Sequence, residues 1–304
     1  MAIFSDTGTN RGMPVLLILV MVAWGANIPA IKALTGVLDV MWLAALRMLV
    51  ATLVLTLGLW LRDRRLPRLS LAKWGYLGGT SFLIIYLNQV MFTHGMGLTT
   101  ATSASLVMAL IPPLSVAAGA LLMRERVHQR AMLGIALGFA GVTLVVVMAP
   151  GAQLGITGLG EVLLVLGLLA FVGGGLLIQR VAQDIDVLVV GWSTYGMGSL
   201  MLLAHAMLDG GWVQARAALD TPMVWGYLMY SGVVGTALAN LAWYFAIGRI
   251  GQSRASPFLY LLPIFGVLSS ALMLGEPLGW WHLVGLVLVI AGTRLGTAPR
   301  IAPL

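Results

Sequence analysis

The sequence has no cysteine and few charged residues. Charged side chains make up 9% of its 304 residues, whereas a soluble globular protein carries about 25%. Hydrophobic residues make up 60%, and the mean hydropathy is +0.99, so there are too few charges to cover a water-facing surface. We therefore expect an integral membrane protein. The lack of cysteine excludes a disulfide framework, a thiol nucleophile and a cysteine-ligated metal site.

Motifs for metal binding, catalysis and phosphate binding are also missing. We find no cluster of His, Asp and Glu with metal-ligand spacing, no Gly-x-Ser-x-Gly elbow and no phosphate loop. The histidines are scattered near the ends of predicted helices, at His94, His128, His205 and His282. No dense pair of acids lies inside an apolar run, so strong proton coupling is not evident. We expect no catalytic residue, no metal and no cofactor.

Ten apolar windows have about the 20-residue length that a membrane span needs. Each should be a helix, because an isolated strand would leave backbone groups unsatisfied in lipid. The polar residues before the first window predict a short tail ahead of an uncleaved span. The windows are 13–34, 40–61, 72–94, 100–123, 129–149, 158–179, 187–208, 223–246, 253–274 and 281–298.

Positive charge predicts the orientation. If the N-terminus is cytoplasmic, 14 of the 17 Lys and Arg residues fall at cytoplasmic ends, as the positive-inside rule requires. The exceptions are Lys32, Arg47 and Arg216. We therefore place both termini in the cytoplasm, and we attribute the +7 net charge to this asymmetry and not to nucleic-acid binding.

The sequence contains one pattern twice. Trp74-Gly75-Tyr76-Leu77 returns as Trp225-Gly226-Tyr227-Leu228, and a shift of 151 positions keeps later matches in phase without a gap. The matched residues are Gly97 and Gly248, Ala104-Ser105 and Ala255-Ser256, Pro112 and Pro263, Glu125 and Glu276, Gly134 and Gly285, and Gly141 and Gly292. The repeat covers three successive apolar segments, so the chain is a duplicated unit.

Five windows in each copy make the second copy enter the membrane upside down. This is the inverted-repeat plan of secondary transporters, in which a substrate site lies near the midplane between the copies. The predicted fold class is an all-α membrane protein of ten transmembrane helices, with repeats at 13–149 and 158–298.

Polar and aromatic residues inside spans indicate where a substrate could bind, since they cost free energy in hydrocarbon. Gln89 and Asn240 place an amide at the same repeat position in both copies. Such amides could line a cavity or form packing bonds between helices. Aromatic residues could bind flat apolar groups or organic cations, or could simply pack. The residues expected to bind substrate are Trp24, Asn27, Tyr86, Gln89, Phe171, Asn240, Trp243, Tyr244, Ser256 and Tyr260.

Prolines and two glutamates are expected to have structural roles. Pro29 could break the first helix and expose backbone carbonyls, or could cause an ordinary kink. The matched Pro112 and Pro263 predict matched bends that could act as hinges. Glu125 and Glu276 lie at helix ends, where caps or turn anchors are expected. Arg47 has no obvious acidic partner inside the membrane, although Asp39 could pair with it.

The repeated motifs resemble the EamA domain. They are Trp24-Gly25-x-Asn27, Arg47, Ala104-Ser105 with Pro112, Glu125-Arg126 and Gly134, then Ala255-Ser256, Pro263, Gly275-Glu276 and Gly285. The resemblance covers nearly the whole chain, which is similar to two-EamA-domain members of the drug/metabolite transporter superfamily. The second copy departs from the pattern, because its Trp-Gly-x-Asn counterpart is degenerate and Pro277 follows Glu276.

This resemblance implies a multi-pass exporter in a bacterial cytoplasmic membrane, and the greatest similarity is to exporters of aromatic amino acids. The implied substrates are amino acids, with organic cations as a further option, and the only other implied partner is the lipid bilayer. Export of drugs or other metabolites by the same fold is the alternative. A membrane-embedded enzyme and a scaffold are remoter alternatives. The oligomeric state stays open, with a monomer as one option.

Overall fold

The computed structural model describes residues 12–62, 69–98, 107–125, 127–148, 158–274 and 279–296. All regular elements within these ranges are helical, which confirms the predicted all-α class. A helix pairs its backbone N–H and C=O groups internally. A segment that spans the apolar interior of a membrane must do so, because no water is available there to pair with them.

The first half begins with two long helices, α1 (Gly12–Thr35) and α2 (Val40–Arg62). A rod then runs from α3 (Leu71–Ser81) through a π-helical stretch (Phe82–Leu87) into α4 (Asn88–Gly97); we call it the first rod. Two further helices follow, α5 (Ile111–Leu122) and α6 (Gln129–Val147).

Among the described residues, the second half repeats this order with two additional short helices and a 3₁₀ turn. It contains α7 (Leu159–Val181), α8 (Val187–Asp209) and the short α9 (Trp212–Leu219). The second rod comprises α10 (Pro222–Met229), a π-helical stretch (Tyr230–Leu238) and α11 (Ala239–Ile250). Then follow α12 (Gln252–Ala255), a 3₁₀ turn (Ser256–Tyr260), α13 (Leu261–Leu274) and α14 (Trp280–Gly296).

In the part of the chain that the structure describes, six helical segments are long and apolar enough to cross a membrane. Two other apolar helices, α5 and α14, are shorter than a full span. The number of spans beyond six therefore stays a prediction. The six segments are Gly12–Thr35, Val40–Arg62, Gln129–Val147, Leu159–Val181, Val187–Asp209 and Pro222–Ile250.

Both rods contain a π-helical stretch at corresponding positions of the repeat. The 151-residue shift places Phe82–Leu87 on residues 233–238, inside the second stretch. A π-helical stretch bonds each amide to a carbonyl five residues back and often marks a functional site. The sequence predicted unbroken α-helices here, because a change in hydrogen-bond register leaves no trace in hydropathy.

Matched helices of the two halves pack against each other in opposite directions. Arg62 near the end of α2 pairs with Asp186 at the start of α8 at 2.7 Å. Farther along, Thr56 accepts a hydrogen bond from Trp192 at 2.9 Å. At the other end the indole of Trp42 donates to the carbonyl of Gly210 at 2.6 Å. The pair α2 and α8 is therefore antiparallel.

The last helices of the halves, α6 and α14, form a second antiparallel pair. A methyl group added at Gly134 would overlap the backbone of Gly292, and one added at Gly141 would meet Gly285. The missing side chains let the two backbones approach closely. We call this contact the glycine seam.

The remaining contacts also join one half to the other. Helix α1 packs on α11 and α13, while its counterpart α7 packs on α4 and α5. The buried core therefore lies between the halves, so a site there takes residues from both.

The prolines occupy different settings. Helix α1 is continuous through the buried Pro29, so the expected break is absent and the alternative of a proline within the helix holds. Pro112 is in the first turn of α5, and Pro263 is in the first turn of α13 after the 3₁₀ turn. Both positions suit proline, because the first turn of a helix needs no amide donor from it.

Candidate functional site

Six buried side-chain atoms between the halves have no hydrogen-bond partner among the described residues. They lie on α1, α2, α8 and the second rod, which are neighbours in the bundle. We call the residues that carry them the polar core. The atoms are Asn27 Oδ1, Arg47 Nε, Thr194 Oγ1, Ser231 Oγ, Trp243 Nε1 and Tyr244 Oη.

The second π-helical stretch brings α1 and α2 to the polar core. The amide of Asn27 fills the space that a side chain on Gly235 would occupy, and Arg47 lies beside Gly232 through its backbone. Asn240 donates to the carbonyl of Thr236 at 2.9 Å, so its amide stays on its own helix. Thr236 donates to the carbonyl of Ser231 at 2.9 Å. These two bonds stabilise the irregular backbone of the second π-helical stretch, against which Asn27 packs.

Aromatic rings flank the polar core. The rings of Trp24 and Trp243 are 5.5 Å apart at 48°, and those of Tyr195 and Tyr244 stack at 6.0 Å and 22°. Trp243 and Tyr244 are almost fully buried, whereas Trp24 is half-buried. Of the predicted site residues, the structure therefore brings together Trp24, Asn27, Trp243 and Tyr244.

The chemistry of the polar core suits a ligand with polar and charged groups. A buried polar atom left without a partner costs about 1–3 kcal/mol, so a cluster of them favours a bound molecule that supplies the missing partners. Arg47 lies within electrostatic reach of Tyr195. The expected pairing with Asp39 does not form, because Asp39 instead caps α2 by accepting from Met41 N at 2.9 Å. The guanidinium of Arg47 is thus the natural partner for an anionic group.

A second group of predicted residues lies where the first rod packs on α7 and α8. The hydroxyl of Tyr86 is 3.1 Å from Nδ1 of His205 on α8. Phe171 lies on α7 between Gly167 and Gly174, which pack against the first rod. Gln89 is half-buried on α4. Tyr86, Gln89 and Phe171 are therefore separate from the four residues at the polar core.

Tyr260 and Ser256 have packing contacts in the structure. The Tyr260 ring lies against Gly138, and its hydroxyl donates to the carbonyl of Ile135 at 3.1 Å. The Ser256 hydroxyl donates to the carbonyl of Ser253 at 3.2 Å. Both side chains are buried next to the glycine seam, which favours a structural role over substrate binding.

Glu125 anchors a turn, as its position at a helix end predicts. It accepts a hydrogen bond from Gln179 at 3.1 Å, and Gln179 accepts one from the backbone of Gln252 at 2.8 Å. This network ties the end of α5 to α7 and α12. Its repeat mate Glu276 lies outside the described residues, as does Ser105. The described residues contain no group of three or more His, Asp or Glu that could hold a metal ion.

Sequence reasoning missed three polar-core residues, Arg47, Thr194 and Ser231, as substrate-binding candidates. The sequence does contain a feature that could have identified them, since each is a polar residue inside an apolar window. The repeat itself does not single them out, because Ser231 and its counterpart Thr80 are small hydroxyl residues of the kind that membrane helices commonly use for packing. The orphaned hydroxyls of Thr194 and Ser231 became evident only once helix packing was known.

Comparison with known proteins gives the family. The sequence profile of the EamA-like transporter family matches residues 12–147 and again residues 158–297. The two matches together cover most of the chain, and the chain thus contains two EamA domains.

Relatives of similar length align over most of the chain. An "Uncharacterized transporter YetK" of Bacillus subtilis is 24% identical over 93% of this chain and 86% of its own length. A "Probable amino-acid metabolite efflux pump" of Salmonella typhimurium is 27% identical over 91% and 92%, and one of Escherichia coli is 26% identical over 93% and 94%.

A solved crystal structure shares the fold. It superposes with a TM-score of 0.79 at 17% sequence identity, and the match covers 95% of this chain and 97% of the other. At that identity the likeness concerns the fold alone.

Proposed function

Since the chain belongs to the EamA-like transporter family, we propose that it exports amino acids, aromatic ones among them, across a bacterial cytoplasmic membrane. The chain is a multi-pass membrane transporter and not an enzyme, and its partners are a small-molecule substrate and membrane lipid. The printed names of two relatives, which are about 26% identical, support amino-acid metabolites as cargo.

The observation that carries this proposal is the polar core beside two pairs of aromatic rings. The carboxylate of an amino acid would bind Arg47, and its ammonium group would bind the carbonyl oxygen of Asn27. Trp24 and Trp243 would receive the side chain. The two polar contacts would each give a partner to a buried atom that has none among the described residues, and this favours binding.

The proposed cycle is alternating access by two inverted repeats of five spans, with both termini cytoplasmic. The antiparallel pairings of α2 with α8 and of α6 with α14 support inversion, since matched helices of an inverted repeat must run oppositely. Rocking of one half against the other would expose the polar core first to the cytoplasm and then to the outside.

Export of organic cations is the weaker candidate. Aromatic rings attract cations, but the guanidinium of Arg47 repels them in a medium of low dielectric. Tryptamine is a cation with the ring of tryptophan and no carboxylate, so it separates these two possibilities.

Uptake of labelled tryptophan into liposomes tests the proposal. We expect purified protein to take up tryptophan faster than empty liposomes do, and to take up tryptamine poorly. Arg47→Gln should lower tryptophan uptake about ten- to hundredfold, because a hydrogen bond to a charged group contributes about 1.5–3 kcal/mol. Arg130→Gln, at an exposed position of α6, is the matched control and should leave uptake unchanged.

Failure would be equally clear. Uptake no faster than in empty liposomes across a panel of amino acids would exclude this substrate class. Normal uptake by the Arg47→Gln protein would exclude the carboxylate contact.

A further inference from the structure

Two histidines that are 111 positions apart in the sequence meet where the first rod packs on α8. The rings of His94 and His205 are 6.3 Å apart. Nδ1 of His205 is 3.1 Å from the hydroxyl of Tyr86, and its Nε2 is 3.8 Å from a carboxylate oxygen of Asp209. This end of the bundle is the one that the charge distribution predicts to be external.

Each ring nitrogen of His205 lies near an oxygen atom that can accept a hydrogen bond from an N–H group. In imidazolium both ring nitrogens are donors. Nδ1–H would then donate to the Tyr86 oxygen, and Nε2–H would donate to Asp209. Neutral His205 instead accepts from the Tyr86 hydroxyl at Nδ1 when its proton is on Nε2. One proton on His205 therefore reverses the Tyr86 hydrogen bond.

In the second histidine, His94, one ring nitrogen has a hydrogen-bond partner on its own helix. Nδ1 of His94 lies 2.8 Å from the carbonyl of Val90 on its own helix, so that nitrogen carries the hydrogen. Its Nε2 remains the protonatable atom. Since His94 and His205 belong to opposite halves, charge on both would place like charges across the contact between the halves.

Charged groups on the neighbouring elements are of both signs. Asp209 is on α8 itself, half-exposed at 56%, whereas His205 is only 23% exposed. Asp39 precedes α2 and lies beside Gly211, and α2 also carries Arg47. Glu161 lies in the first turn of α7, and Arg216 lies on α9. Of these carboxylates, Asp209 is the one in contact with the His205 ring.

We propose that His205, with Tyr86, His94 and Asp209, is a proton-binding site through which the transporter exchanges an external proton for its exported substrate. Histidine is suited to this task, because it changes charge between about pH 5 and 8. Proton binding is transmitted to Tyr86, which lies on the same face of the first rod as Gln89. This inference rests on the proposed function only where tryptophan transport is used to test it.

A pH gradient across liposomes tests the exchange. With an acidic lumen and the membrane potential clamped by potassium and valinomycin, protons leave and labelled tryptophan should accumulate inside. One pH unit corresponds to about 1.36 kcal/mol, or an accumulation of up to about tenfold for one proton per substrate. His205→Gln should still equilibrate tryptophan without accumulating it. His128→Gln, on an exposed histidine outside this cluster, should accumulate it like the parent protein.

Two results would overturn the proposal. One is a parent protein that only equilibrates tryptophan despite the gradient. The other is a His205→Gln variant that accumulates it as the parent does. Wild-type protein that transports nothing would instead refute the proposed function, and the proton site would then be decided by spectroscopy.

The four histidines of the chain permit that measurement. In ¹⁵N-histidine-labelled protein, each signal can be assigned by a His→Gln substitution. We expect the His205 signal to respond to pH within the range in which histidine changes charge, about pH 5 to 8, and we expect Asp209→Asn to alter that response. A His205 signal that does not titrate in this range, or is indifferent to Asp209→Asn, would refute the site.

Discussion

Gly235 determines how closely α1 approaches the second π-helical stretch. The amide of Asn27 lies where the side chain of any other residue at position 235 would be. Asn27 can therefore keep its oxygen free inside the polar core. A larger residue at position 235 would push the amide aside, so the proposed binding geometry depends on this glycine.

We expect Gly235→Ala to lower tryptophan uptake about tenfold, because overpacking costs about 1–3 kcal/mol and displaces Asn27. Gly226→Ala, in the same rod, is the matched control because nothing lies within 4 Å of its added methyl group. Uptake measured in liposomes at equal protein content checks this. Equal uptake by both variants would contradict a role for Asn27.

Single residues also show how far the sequence predicts the site. Trp24, Asn27, Trp243 and Tyr244 could be predicted because polar and aromatic groups stand out in apolar windows. Tyr260 has the same signal, yet its ring packs on Gly138. Composition does not say which way a ring points, since this depends on the neighbouring helix. The sequence did not indicate His205 as a candidate residue either, because its neighbours Tyr86 and His94 are distant in sequence.

Among the helices, the pair α6 and α14 depends most on the absence of side chains. Backbone meets backbone along the glycine seam, and the matched glycines made this pair visible in the sequence as a repeat. Gly134 and Gly138 lie four positions apart, a spacing that lets membrane helices approach closely, so a role in helix packing could be predicted for them. The π-helical stretches of the two rods could not be predicted, because α and π hydrogen bonding suit the same apolar residues.

We expect Gly292→Val to destabilise the protein by about 1–3 kcal/mol, the usual cost of overpacking, because its side chain would meet the backbone at Gly134 and Gly138. Thermal unfolding in detergent, followed by tryptophan fluorescence, should show a lower melting temperature. Gly75→Val, with open space around its Cβ, should not. An unchanged melting temperature for Gly292→Val would mean that the seam opens at little cost.

At the scale of the whole molecule, two matched helix pairs, α2 with α8 and α6 with α14, run in opposite directions. If the repeats are inverted, residues 151 positions apart face opposite sides of the membrane. Ala72 and Met223 are such a pair, and both are exposed. The native chain has no cysteine, so a single introduced thiol reports its own side alone.

In intact cells, an impermeant maleimide should label Met223→Cys and should label Ala72→Cys only after the membrane is permeabilised. The labelled fraction on a gel measures this, and total labelling in detergent controls for reactivity. Labelling of both positions from the same side would rule out the inverted arrangement.

The glycine seam has the contact pattern of a twofold-symmetric dimer. Gly134 meets Gly292, and Gly141 meets Gly285; the 151-residue shift turns each of these contacts into the other. An isologous interface is defined by this reciprocity. In a dimer of identical subunits, every substitution would appear on both sides of the interface at once. Joining the halves in one chain removes that constraint. Gln89 in the first half can therefore correspond to a different residue, Asn240, in the second, and each half carries its own side chains on a shared backbone plan.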